Sequence, residues 1–167
     1  MYQPGELILY GRTGVCRVEE ITVVKLKGDK VGQNYYILKP LYQTCNITTP
    51  VDSKVFSRPI ISREEAQKVI RAIPTLNPEA YHNRNLNQLR EYYRSRMETF
   101  DCIELVKMTM SLYRKKREAE EQKRKFGAVD ERYMHEAEAL LFGELAAALE
   151  IPRDSVPNYI AEALKKA

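Results

Sequence analysis

The spacing of apolar residues changes period once along the chain, between Arg58 and Ser62. Up to that point short runs of Val, Ile, Leu and Tyr are broken by Gly, Pro and Asn, the pattern of brief strands and tight turns. Beyond it apolar residues recur three and four positions apart among Glu, Lys, Arg and Ala, the pattern of amphipathic helices. Two such periods do not belong to one layered sheet. The chain therefore reads as an α+β protein of two modules, residues 1–60 and residues 61–167.

In the first module the expected strands are Glu6–Tyr10, Val15–Ile21 continuing to Lys27, Asn34–Leu38 and Cys45–Thr49, with a last short pairing at Val55-Phe56. Pro4-Gly5, Gly11–Gly14, Lys27–Lys30, Pro40–Gln43 and Pro50 separate them. Short strands at this density fit a small β-barrel of SH3 or Tudor type. Its core is expected from Leu7, Leu9, Val15, Val18, Ile21, Tyr36, Leu38 and Ile47, with Gly5 and Gly14 at sharp turns.

In the second module Ser62-Arg63-Glu64-Glu65 is a capping box, and the helix it opens runs to about Ile73 before Pro74 with Ala66, Val69, Ile70 and Ile73 facing inward. A second helix is expected from about Asn83 to Met97, with Leu86, Leu89, Tyr93 and Met97 on one face. A third, capped by Asp101, runs from Cys102 to about Lys125 with Ile103, Leu105, Val106, Met110, Leu112 and Tyr113 as its apolar positions. Gly127 reads as a left-handed terminator. Asp130 opens a fourth helix to about Leu149, burying Tyr133, Ala137, Leu140, Leu141 and Leu145. Pro152 introduces a final segment that Pro157 divides.

Charge adds one feature. Residues 1–60 hold eight Lys and Arg against five Asp and Glu, and residues 61–167 hold nineteen against eighteen, which together give the net +4. Residues 107–125, however, hold eight basic and three acidic side chains, among them Arg114, Lys115, Lys116, Arg117 and Lys123. Successive helical residues point about 100° apart, so two or three of these can face one phosphate backbone. Such contacts position DNA without reading its sequence. Tyr81, His82 and Arg84 form a second candidate DNA contact, an aromatic ring beside basic groups and amides at a helix start, where backbone N–H groups favour phosphate. An aromatic there could wedge against an unstacked base pair.

The three cysteines at 16, 45 and 102 form no CxxC pair and share no ligand spacing with His82 or His135, so neither structural zinc nor a disulfide scaffold is expected. The first residues lack the basic and apolar regions of a signal peptide. No apolar run reaches the roughly 18 residues of a membrane span, so a cytoplasmic protein is expected. Catalytic motifs for nucleotide binding, nucleophilic acyl transfer and zinc proteolysis are missing. Glu136 and Glu138 diverge by about 200° on their helix and cannot pair as acid and base. A binding protein without cofactor or metal is expected rather than an enzyme.

The pattern Gly5, Tyr10, Gly14, Val15, Ile21, then Tyr36-Ile37-Leu38-Lys39 and Ile47 to Pro50, resembles the RNA-polymerase-interacting domain of the CarD/CdnL family of bacterial transcription regulators. A similar domain occurs in the transcription-repair coupling factor. Asp101, Leu112-Tyr113-Arg114-Lys115-Lys116, Asp130, Ala137, Ala139-Leu140-Leu141, Glu144-Leu145 and Leu149 resemble the helical half of the standalone regulators. The resemblance implies a barrel docked on the RNA polymerase β-subunit by strand addition, and a helical domain that holds promoter DNA and stabilises the open complex. Ile47, Thr48, Thr49 and Pro50 are the candidate docking edge, with Lys25 and Lys27 on a second surface. Better-known members carry an arginine near the position of Thr48. They also use a tryptophan at the DNA fork; this chain has none, and Tyr81 is the nearest candidate by position, with His82 competing. A monomer is the expectation. The alternative is an adaptor that binds only other proteins.

Overall fold

Leu7–Tyr10 (β1) turns directly into Gly14–Val24 (β2) because Gly11–Thr13 forms a single 3-10 turn and Gly14 takes a left-handed φ of 88°. Side chains rarely tolerate that conformation and glycine does. In the computed structural model, which describes residues 1–25 and 32–165, β2 pairs with Gln33–Pro40 (β3) along a long antiparallel ladder with a bulge between Val18 and Glu20. Ile47–Pro50 (β4) pairs with β3, and Ser57–Pro59 (β5) pairs with β1. The sheet order is β4-β3-β2-β1-β5, antiparallel throughout.

The expected barrel is an open sheet. Among the described residues β4 and β5 end the sheet and do not pair with each other. Both are short and each contains a proline, which has no N–H to give to a ladder. Side chains draw the sheet together instead. The hydroxyls of Tyr10 and Thr49 lie 2.9 Å apart, and the Tyr2 hydroxyl donates to Ser57 Oγ at 3.0 Å. The core on the concave side is Ile8, Cys16, Val18, Tyr36 and Leu38, with Tyr2, Tyr10, Ile21, Ile47 and Val51 packed against it. Leu9 and Val15 are also buried, but Leu7 is only half-buried, and Ile8 takes the central place in β1. The last strand lies at Ser57–Pro59, not at Val55-Phe56, because the Phe56 carbonyl already accepts from Gly11 N–H at 2.8 Å and starts the pairing there.

The chain divides into two units, Met1–Ile61 and Ser62–Ala167. The second unit is helical. Arg63–Ala72 (α1) begins in a complete capping box: Ser62 Oγ accepts from Glu65 N–H at 3.1 Å, and the Glu65 carboxylate accepts from Ser62 N–H at 3.3 Å. Leu86–Met97 (α2) starts later than Asn83, because Asn85 is the cap and accepts from the N–H groups of Asn87 and Gln88. Cys102–Glu121 (α3) is capped by Asp101 and ends short of Lys125. Lys123, with φ 55°, makes the left-handed turn that Gly127 was expected to make. Gly127 is extended and serves as the N-cap of Ala128–Leu149 (α4). A Cβ on Gly127 would sit 3.0 Å from an Asp130 carboxylate oxygen, so the glycine makes room for that side chain.

Helix α4 is the axis of this unit: α3 and α2 pack on it, and so do α1 and Val156–Lys165 (α5). Tyr133, Ala137, Leu140, Leu141 and Leu145 are all buried. Leu86 and Tyr113, two of the apolar positions named for these helices, are exposed. The Tyr113 hydroxyl reaches Glu138 on α4 instead of entering the core. The C-terminal segment is a 3-10 turn, Arg153–Ser155, followed by α5, with Pro157 in the first turn of α5 where a missing N–H breaks no helical bond.

Candidate interaction surfaces

The outer edge of β4 follows from its register. Thr49 lies opposite Tyr36, Thr48 opposite Ile37 and Pro50 opposite Tyr35, and Val51 N–H donates to the Asn34 carbonyl at 3.0 Å. In an antiparallel pair hydrogen-bonded and non-hydrogen-bonded positions alternate. With Val51 bonded to β3, Thr49 and Ile47 are also bonded positions. The N–H and C=O of Thr48 then point away from β3, out of the sheet. Pro50 has no N–H, and its carbonyl is taken by Ser53 N–H at 3.0 Å. Thr48 is thus the place where β4 offers a donor and an acceptor together, and its side chain is exposed.

The four edge residues differ. Thr49 is buried, with its hydroxyl on Tyr10; Ile47 and Pro50 are half-buried. Only Thr48 presents its side chain to solvent. At the other end of the sheet, β5 has Pro59 opposite Ile8, and Ile60 N–H donates to the Leu7 carbonyl at 3.3 Å. The same alternation turns Pro59 outward, where it blocks pairing. Each sheet end thus turns one proline outward, Pro50 or Pro59, and one residue that keeps its N–H, Thr48 on β4 and Ser57 on β5; the β4 edge lies inside the stretch read as the docking edge. Lys25 is exposed just past β2. Lys27 lies outside the described residues.

In the helical unit the segment before α2 runs along α3. The Pro78 carbonyl accepts from Arg114 at 3.0 Å, the Glu79 carbonyl from Ser111 Oγ at 2.9 Å, and His82 Nε2 lies 3.2 Å from Glu118 Oε2. Residues 111, 114 and 118 share one helix face, so this stripe pins the segment. Tyr81 is half-buried and stacks face to face on Tyr92, ring centroids 3.7 Å apart, while its hydroxyl accepts from Asn83 Nδ2 at 3.1 Å. One ring face is therefore used in packing. Arg84 is exposed. The structure thus lays the segment that carries Tyr81 and His82 along the α3 face that carries Arg114.

The basic run does not stay together. Lys115 points inward: its ammonium lies 2.9 Å from Asp130 Oδ1, and the two side chains are only 14% and 7% exposed. The same carboxylate oxygen accepts from the Tyr93 hydroxyl at 2.6 Å. Burial first, and then the Asp130 carboxylate, push the Tyr93 hydroxyl far above its ordinary pKa. Lys115 is thus an internal cation joining α3 to α4 and is corrected from a DNA contact to a structural one. Lys116 is half-buried with its ammonium 6.0 Å from the Phe126 ring centroid. Arg117 and Lys123 are exposed. Asp130 was read only as a helix start; nothing local in the sequence signals that Lys115 and Tyr93 converge on it.

Among the described residues no group of three or more His, Cys, Asp or Glu is placed to hold a metal ion, and no helix is long and apolar enough to cross a membrane. No curated protein matches the chain. Residues 2–55 match the family model of the CarD-like/TRCF RID domain. The matched stretch falls within the sheet unit and contains β1 to β4. Residues 2–55 are thus a CarD-like/TRCF RID domain, an RNA-polymerase-interacting module that supports a transcription-related role.

Proposed function

We propose that this protein is a cytoplasmic transcription regulator that binds without catalysing. The sheet unit adds a strand from the RNA polymerase β-subunit to the edge of β4, and the helical unit thereby reaches promoter DNA. The observation that carries this reading is the outward N–H and C=O of Thr48 on an unprotected strand edge of an RNA-polymerase-interacting domain. Tethering raises the local concentration of a weak DNA binder. A helical unit that prefers melted to closed promoter DNA shifts the equilibrium towards the open complex by that difference in affinity. Co-purification with the β-subunit from a bacterial lysate tests the first half.

For the second half, Arg117 and Lys123 are the exposed cations to test, since Lys115 is committed to Asp130. Reversing both to Glu should weaken binding to forked DNA of any sequence and flatten the salt slope by about two, one per lost phosphate contact. A gel shift over a salt series measures this. The protein-only adaptor remains the second reading because the inward Lys115 and the pairings of Arg114 and His82 reduce the charge offered to phosphate. A parent protein that shifts no DNA even at low salt, yet co-purifies with polymerase, decides for the adaptor.

A further inference from the structure

The two hydroxyl bridges that draw the sheet together border one small cavity. It measures about 20 Å³, and Tyr10, Tyr36, Thr49, Ser53 and Ser57 are among its lining residues. No charged side chain lines it among the described residues. The hydroxyls around it hold more hydrogens than their bonds use. Tyr10 and Thr49 lie 2.9 Å apart, and only one of their two hydrogens can lie in that bond. Ser57 Oγ accepts from the Tyr2 hydroxyl at 3.0 Å, so its own hydrogen turns elsewhere. The Tyr36 hydroxyl accepts from Tyr2 N–H at 2.9 Å, which leaves its hydrogen over as well. Thr49 and Tyr36 are each only 5% exposed, so bulk solvent is largely withheld from them. A buried donor without an acceptor is costly.

We infer that this cavity binds one water molecule, which accepts hydrogens from hydroxyls of both bridges and so ties β4 to β5. Size selects it: one water needs roughly 10–15 Å³ of such space, and nothing larger fits. Charge selects it too. The surplus is in hydrogens, which calls for an acceptor, and neutral walls do not balance an anion. Water is an acceptor without charge. Its own hydrogens also find partners. Ser53 Oγ takes one bond from Val55 N–H at 3.2 Å, and the Pro50 carbonyl takes one from Ser53 N–H at 3.0 Å, so each oxygen keeps a lone pair. Both residues line the cavity. The water thus links two sheet ends that do not pair with each other among the described residues. It does so whatever docks at Thr48.

A crystal structure of the full chain, at a resolution where surface waters are ordered, should show one water within about 3.2 Å of Ser57 Oγ and of a hydroxyl of the Tyr10–Thr49 pair. In solution, magnetic relaxation dispersion of water oxygen counts the waters that stay bound for long. Ser57→Val removes one donor and fills the space with a methyl group, so it should lower that count by one. Thr48→Val, whose side chain points to solvent, should leave the count unchanged. A dry cavity in the parent crystal overturns the site. So does an unchanged count in a Ser57→Val protein that circular dichroism shows to be folded. Should Ser57→Val fail to fold, the parent crystal decides by itself.

Discussion

Replacing Asp130 by alanine should cost the helical unit about 3–5 kcal/mol of unfolding free energy, the usual penalty for leaving one partner of a buried ion pair alone. One carboxylate oxygen holds the Lys115 ammonium at 2.9 Å and the Tyr93 hydroxyl at 2.6 Å. It thereby joins α2, α3 and the start of α4, and both partners are nearly out of water. Removing it strands a cation and a hydroxyl inside the unit. Asp130→Asn keeps an acceptor for Tyr93 but not the charge, and should lie between alanine and the parent. Lys115→Glu should be at least as damaging as alanine at 130, because it sets two carboxylates face to face. Urea unfolding followed by helical circular dichroism measures all three. A loss below about 1 kcal/mol for Asp130→Ala, the level of an exposed pair, would show that the cluster is solvated.

The second large effect is expected at Thr48. Proline there removes the outward N–H and fills its place with a ring, while the neighbouring bonds of β4 to β3, made by Ile47, Thr49 and Val51, are kept. A strand of the polymerase would lose one backbone bond and leave its own carbonyl unpaired. The net loss of a bond plus the cost of an unsatisfied acceptor predicts a drop of about 10- to 100-fold in affinity. Thr48→Val retains the backbone and should bind like the parent within about threefold. A folded Thr48→Pro protein that binds polymerase as the parent does would exclude this edge.

What could be read before the structure was local in origin. The capping box at Ser62 and Glu65, the caps at Asp101 and the inward stripe of α4 each depend on residues three or four apart, and those positions lie in view along the chain. The open sheet end at Ile47–Pro50 was legible for a similar reason, since a short threonine-rich run stopped by proline is poorly suited to a central position. The misreadings share a different cause. Gly127 was read by its own conformational freedom, yet it is an extended N-cap, and what its missing Cβ leaves room for is the Asp130 carboxylate at 3.0 Å. Lys115 was read with its basic neighbours, but the α3–α4 turn folds Asp130 back over it. Tyr81 was read as a candidate wedge at the DNA fork, and Tyr92, eleven positions on, covers one face of its ring. Ile8 is the core residue of β1 that alternation alone does not single out, because both of its faces carry buried residues, Ile8 on one and Leu9 on the other.

The central claim is that β4 receives a strand from RNA polymerase at Thr48. Amide hydrogen exchange at Thr48, measured on the free protein and on its complex with RNA polymerase, tests it most directly. In the free protein this N–H points out of the sheet and should exchange much faster than that of Thr49, which bonds to β3. In the complex the Thr48 amide should become protected while that of Ser57 on the other sheet end stays unchanged. A saturated complex in which Thr48 exchanges as it does in the free protein would contradict strand addition at β4.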